Sequence, residues 1–317
     1  MKRFSFSAGL CLFFLVFLSG SVWAEIINYP GAVATYARGV NGSGDVAGYY
    51  TDGTGTHGFL DSGGSFTSID APGAENTLVT GINGAGGMTG FYSVGSTDYG
   101  FVDSGGSFTS FSVPGAADMS AGGINDSGEI AGTYVDGATH RYTGFLYYLG
   151  GSLTPISVPG ATLTNVNGIN NAGEVVGTYQ DAAGEHGFIY ANGSFTRIDA
   201  PGASGGFTEA MGINDLGEIA GLYSDGTASY GFTDIAGNFT TVDLDHLLTA
   251  VYGLNDFGDT VGTFVDTSSP EWQYRGFEEG TASQSVPEPP TFLLLGAALT
   301  GIVITRKLLL TKQSDPA

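Results

Sequence analysis

The sequence predicts an all-β protein, a six-bladed β-propeller, and three features of the chain carry that expectation. A Gly-Val-Asn, Gly-Ile-Asn or Gly-Leu-Asn triplet recurs at residues 39, 81, 123, 168, 212 and 253, at intervals of 42, 42, 45, 44 and 41. Each copy contains four short stretches rich in β-branched and aromatic residues and bounded by Gly, Asn, Asp or Pro, which read as four strands. Units of this length and number suit radial repetition, which leaves few exposed sheet edges. A β-solenoid or a pair of sandwiches is the alternative architecture.

Within each unit the elements follow in a fixed order. The triplet ends the first strand, and a glycine three residues after its asparagine marks a tight hairpin, as in Asn125-Asp126-Ser127-Gly128 and its counterparts at 214 and 255. The second strand runs to Gly-Tyr or Gly-Thr-Tyr, as in Glu174-Val-Val-Gly-Thr-Tyr. The third carries Gly-Phe at 58–59, 100–101, 144–145, 187–188, 231–232 and 276–277. Gly-Gly at 63–64 and 105–106, or Asn-Gly at 192–193, turns the chain into a fourth strand of the form Ser-Phe-Thr-x-Ile-Asp-Ala-Pro-Gly-Ala. The sixth unit lacks this fourth strand, whereas residues 27–32, Ile-Asn-Tyr-Pro-Gly-Ala, copy residues 69–74 at the same 42-residue offset. The N-terminal strand is therefore expected to complete the last blade, with Gly-Ile-Asn strands innermost and Phe-Thr-x-Ile-Asp strands outermost.

Composition bounds the function. Fifty-four glycines and only 13 % charged residues could signal disorder, yet 42 % hydrophobic and 12 % aromatic residues suffice for a core. The net charge is -22, and all three lysines, Lys2, Lys307 and Lys312, lie near the ends. Residues 25 to 284 hold only Arg38, Arg141, Arg197 and Arg275 as cations, so nucleic acid and anionic lipid are poor partners. Cys11 is the only cysteine, which leaves no disulfide framework.

Both ends read as addresses. Lys2 and Arg3, the apolar run Leu10 to Leu18 and the Val22-Trp23-Ala24 triplet have the layout of a secretory signal peptide over residues 1–24, cleaved after Ala24. Residues 25–284 form the repeat region and residues 285–317 a tail. In that tail Val286-Pro287-Glu288-Pro289 precedes an apolar stretch from Thr291 to Thr305 and the basic pair Arg306-Lys307. This arrangement resembles the PEP-CTERM sorting signal of exported bacterial proteins. The resemblance implies an exosortase-type partner that cuts near Pro-Glu-Pro, transient membrane anchoring by a C-terminal transmembrane helix, and delivery to the cell surface or extracellular matrix. Leu308 to Ala317 extend past the point where that family usually stops. A stable membrane anchor is the alternative. The Gly-Ile-Asn-x-x-Gly-Glu-Ile-x-Gly and His-Gly-Phe patterns are also similar to the HAF family of bacterial extracellular repeats, with Gly-Phe in place of the more usual Ala-Phe. That likeness implies a secreted repeat protein and transfers no catalytic residue.

Candidate chemistry is sparse. His57 and His186 share their slot with Tyr99, Thr143, Tyr230 and Arg275 and read as packing residues, while His140 and His246 lack the surroundings of a nucleophile triad. Asp45, Glu129, Glu174, Glu218 and Asp259 follow the turn glycine, with Gly87 as the exception. They would ring one rim, as hairpin parts or as oxygen ligands for calcium, although the loop lacks the alternating aspartates of a calcium site. Tyr49, Tyr50, Tyr99, Tyr142, Tyr147, Tyr148 and Tyr230 are candidate exposed sugar platforms. Glu209 and the Asp243, Asp245, His246 cluster depart from the repeat. No catalytic, cofactor or metal residue is assigned. The expected function is a non-enzymatic surface protein for adhesion or for binding extracellular polysaccharide; a secreted carbohydrate-active enzyme, acting at the propeller axis, is the alternative.

Overall fold

Six four-stranded sheets arranged around an axis make up the computed structural model, which describes residues 22–281 except 205, 245, 246 and 269–271. The signal segment before Val22, the tail with Val286–Pro289 and Arg306–Lys307, and the residues Asp245 and His246 lie outside the described residues. Blade 1 is β2 (Ala34–Val40), β3 (Val46–Thr51), β4 (Thr56–Ser62) and β5 (Ser65–Ile69); β1 (Val22–Ile27), which precedes it in the chain, pairs in another sheet. Blade 2 is β6 (Asn76–Ile82), β7 (Met88–Val94), β8 (Thr97–Ser104) and β9 (Ser107–Phe111). Blade 3 is β10 (Ala116–Ile124), β11 (Glu129–Asp136), β12 (Tyr142–Tyr148) and β13 (Leu153–Ile156). Blade 4 is β14 (Leu163–Ile169), β15 (Val175–Gln180), β16 (Glu185–Ala191) and β17 (Ser194–Ile198). Blade 5 is β18 (Thr208–Ile213), β19 (Ile219–Ser224), β20 (Ser229–Ile235) and β21 (Asn238–Val242). Blade 6 contains β22 (Thr249–Leu254), β23 (Thr260–Asp266) and β24 (Gln273–Thr281), and its outer strand is β1 in the order β1-β24-β23-β22. The closure expected from the 42-residue offset is present, and Ala24 sits within this closing strand.

Turn chemistry explains the boundaries. Asn125 Oδ1 accepts the N–H groups of Ser127 and Glu129 at 3.1 and 3.0 Å, while Gly128 takes φ +80°, a conformation that a Cβ would strain. At the outer hairpin Asn192 and Gly193 have φ of +52° and +78°, the pair of positive values that a two-residue type I′ turn requires.

The core lies between blades. Phe59, Phe101, Phe145, Phe188, Phe232 and Phe277, the aromatic half of every Gly-Phe, are all at most 1 % exposed. The glycine half lets the next blade approach: a Cβ on Gly58 would lie 2.6 Å from Val79 Cγ2, and one on Gly231 would lie 2.7 Å from Val251 Cγ2. That contact gives a physical reason for the glycine before each phenylalanine.

The asparagine of each triplet stitches the ring together. Asn83, Asn125, Asn170, Asn214 and Asn255 each donate Nδ2–H to the main-chain oxygen of the equivalent asparagine in the following blade, at 3.0 to 3.2 Å. Asn255 reaches Asn41, so the last blade is bonded to the first at the axis as well as at the rim.

Candidate functional site

Every innermost strand carries the same irregularity. Its register slips between Ala37 and Gly39 in blade 1, Val79 and Gly81 in blade 2, and at the matching positions of the other four; β10 slips a second time, between Ala116 and Asp118. The extra residue is Arg38, Thr80, Gly122, Asn167, Met211 or Tyr252, different in each blade. Bulges aim a side chain away from the regular pleat, and these six residues, five of them with a side chain and Gly122 without one, line the axial channel. The following glycines form its throat, packed so closely that a Cβ on Gly253 would lie 2.9 Å from the Cα of Gly39.

The two ends of the channel differ. At the end where the innermost strands finish, Asn, Asp and Gly residues surround a cavity of about 190 Å³ and bond one another. Asp126 and Asp215 each accept an Nδ2–H from Asn171, at 2.8 and 2.6 Å. The carboxylates after the turn glycine are bound into this scaffold: Asp45, Glu174, Glu218 and Asp259 accept Nδ2–H from Asn41, Asn170, Asn214 and Asn255 at 2.8 to 3.1 Å. Among the described residues no group of three or more His, Cys, Asp or Glu is placed to hold a metal ion.

The opposite end is where blade-specific side chains meet. A cavity of about 200 Å³ is lined there by Arg38, Thr80, Phe91, Asn167, Met211 and Tyr252, among others. Beside it an aromatic cluster joins blades 1 and 6: Tyr36 stacks on Tyr49 with centroids 4.6 Å apart and on Tyr274 at 5.3 Å. The Arg38 guanidinium lies over the Tyr252 ring at 3.9 Å and over Tyr49 at 5.8 Å. Burial, reinforced by Tyr49, Tyr274 and Tyr252, pushes the Tyr36 phenol up to about 12, so it keeps its donor hydrogen at any physiological pH.

Glu209 comes from blade 5, two residues before the extra residue Met211. Burial, then repulsion from Glu185 and a hydrogen bond with it, raises its carboxyl to about 7, while Arg38 pulls it down. A second, half-buried carboxyl, Glu278, is raised to about 7 by burial and by Asp259, Glu25 and Asp61 at the seam that β1 closes. Each of these groups binds its proton more tightly in the folded chain than in the unfolded one. Their contribution is therefore most favourable below about pH 4.5 and is lost as pH rises to about 7, a change on the order of 3 kcal/mol for Glu209 and less for the half-exposed Glu278. Asp225 and Asp266 act in the opposite direction: their own-turn hydroxyls from Thr227 and Ser268 hold them at about 2, so their support fades below the ordinary 3.8. The melting temperature is expected to be higher at about pH 5 than at about pH 8, and Glu209→Gln should remove much of the difference. Equal melting temperatures at the two pH values would contradict this.

Other residues singled out in the sequence serve the scaffold. His57 and His186 each place Nδ1 against an aspartate of their own blade, Asp70 at 2.7 Å and Asp199 at 2.8 Å. His140 is an exposed turn residue with φ +55°. The tyrosine expectation needs correction in part. Tyr50 is buried and stacked 3.6 Å from Tyr29, Tyr99 stacks on Tyr92 and Tyr147 on Phe111, because their slots face neighbouring strands. Tyr230 donates to Asp225, and Tyr142 and Tyr148 remain exposed away from the axis. Tyr49 alone of that set joins the channel cluster. Arg38, Tyr36, Tyr252 and Tyr274 were not legible as site residues one at a time, although comparing the six copies slot by slot singles them out as the places where the repeat disagrees.

No family model and no curated protein matches the chain. Among solved structures, a chain of a nidogen/laminin complex aligns at a TM-score of 0.50 and 14 % identity over 72 % of this chain and 86 % of that one. Virginiamycin B lyase from Staphylococcus aureus aligns at 0.47 and 10 %, over 82 % and 99 %. TolB from Acinetobacter baumannii aligns at 0.47 and 14 %, over 78 % and 63 %. At such identities the likeness concerns the fold alone. Among the described residues no helix is long and apolar enough to cross a membrane.

Proposed function

We propose that this is an exported surface or matrix protein that binds extracellular polysaccharide at the blade-specific end of its channel without cleaving it. Its delivery would rest on the terminal segments, with an exosortase-type enzyme acting near Val286-Pro287-Glu288-Pro289. The observation that carries the binding reading is the distribution of sequence variation. Slots that face the core repeat from blade to blade, whereas slots at one channel mouth hold Tyr36, Arg38, Tyr49, Asn167, Glu209 and Tyr252. Flat rings offer the apolar face of a sugar a surface, and the neighbouring amide and carboxyl groups suit its hydroxyls.

Calorimetric titration of the full-length protein with the source organism's own exopolysaccharide, followed by reducing-end analysis, tests this. Binding without new reducing ends, weakened about tenfold or more by Tyr252→Ala, is the expected result. Absence of binding would overturn it. A secreted carbohydrate-active enzyme is the second reading, favoured by Glu209, whose carboxyl near 7 beside Glu185 is suited to general acid catalysis. New reducing ends that disappear in Glu209→Gln would establish that reading instead.

A further inference from the structure

The described residues include four cationic side chains, and their partners differ. Arg197 is paired with Asp199, Arg275 is paired with Asp266, and Arg141 is exposed. Arg38 is half-buried at the channel and makes no ion pair among the described residues. In a chain of net charge -22 a half-buried, unpaired guanidinium is conspicuous, since a carboxylate partner would be easy to supply. The bulge of β2 is what turns Arg38 into the channel, and the flanking glycine leaves its backbone fixed against Gly253.

The geometry points to Arg38 as an anion subsite that takes the carboxylate of a uronic acid residue in an acidic polysaccharide. This deepens the polysaccharide reading and rests on it. Tyr252 covers one face of the guanidinium at 3.9 Å, which leaves the in-plane N–H groups directed away from the ring. Those groups form a planar fork that matches two carboxylate oxygens. Beside it Tyr274, 41 % exposed, ends the stack that runs through Tyr36 to Tyr49 and offers its outer face to the sugar ring that bears the carboxylate. Glu209 feels the same guanidinium, but burial and Glu185 keep its proton in place up to about pH 7, so it does not supply the missing counter-charge.

The test uses the full-length protein with three probes at about pH 6: an oligogalacturonate, its methyl ester, and a sulfated neutral oligosaccharide. The acid is expected to bind, and methyl esterification and Arg38→Gln should each weaken it about tenfold or more, the loss typical of a charge-assisted pair. Arg38→Lys should recover part of the affinity, and wild-type affinity should fall with added salt. An ester that binds as well as the acid would overturn the anion subsite and leave polysaccharide binding standing. A sulfated probe that binds as tightly would overturn the carboxylate assignment, and failure of all three probes would overturn the subsite, while the titration with the organism's own exopolysaccharide decides the polysaccharide reading separately. If Arg38→Gln does not fold, the ester comparison and the salt response decide, and a flat salt response counts against the subsite.

Discussion

Gly177→Ala is expected to destabilise the fold by about 3 kcal/mol or more, although it adds one methyl group at a position whose φ is not in the left-handed region. A Cβ there would fall within the carbonyl oxygen of Asn165 and 2.9 Å from Phe188 Cε1, so both the backbone and the core ring would have to move. The same geometry holds for Gly48, Gly90, Gly221 and Gly262, whose neighbours are the carbonyls of Tyr36, Leu78, Glu209 and Ala250. The cause is the bulge, which pushes the carbonyl two residues before the extra side chain across the partner strand. Gly53→Ala is the control: its Cβ would meet nothing within 4 Å, and its effect should stay within about 0.5 kcal/mol. Denaturant melts of the two variants measure the contrast. Similar midpoints for both would mean that the innermost strands relax their bulges at little cost.

That bulge also explains which parts of the molecule the sequence made readable. Residues that repeat announce packing: Gly-Phe fills the space between blades, Asn with a following glycine closes a hairpin, and the copy of residues 69–74 at 27–32 announces closure. Blade number, strand order and the identity of the innermost strand follow from such repeats alone. The site is built from the opposite class of residue, those that differ among copies, and single-residue inspection passes over them. Arg38 lies between Ala37 and Gly39, and a glycine has no side chain to report which face the strand presents, so the slip in register is silent in the apolar alternation. Tyr274 and Tyr36 are far apart in the chain and stack only because β24 and β2 meet where the ring closes. The turn carboxylates were visible, yet their bonds to Asn41, Asn170, Asn214 and Asn255 bind them into the hairpins.

Ring closure itself carries the second large effect. Ile27 of β1 is 4 % exposed and packs in the cluster that contains Ala37, Phe59 and Val261, so it joins the outer strand of blade 6 to the core of blade 1. Ile27→Asp would bury a carboxylate among these side chains with no cation at hand, at a cost of about 4 kcal/mol. Ile26, one residue earlier, is 58 % exposed, and Ile26→Asp should change stability by no more than about 0.5 kcal/mol. The contrast isolates burial from strand propensity, because both variants place the same residue in the same strand. Beyond the loss of stability, detachment of β1 would leave β24 as an unpaired edge next to the exposed Tyr274, and such an edge recruits other chains. Ile27→Asp is therefore expected both to melt at lower denaturant concentration and to form oligomers by size-exclusion chromatography with light scattering, whereas Ile26→Asp remains like wild type. A monomeric Ile27→Asp of unchanged stability would show that blade 6 holds the ring with three strands, and that the asparagine bonds from Asn214 through Asn255 to Asn41 suffice to close it.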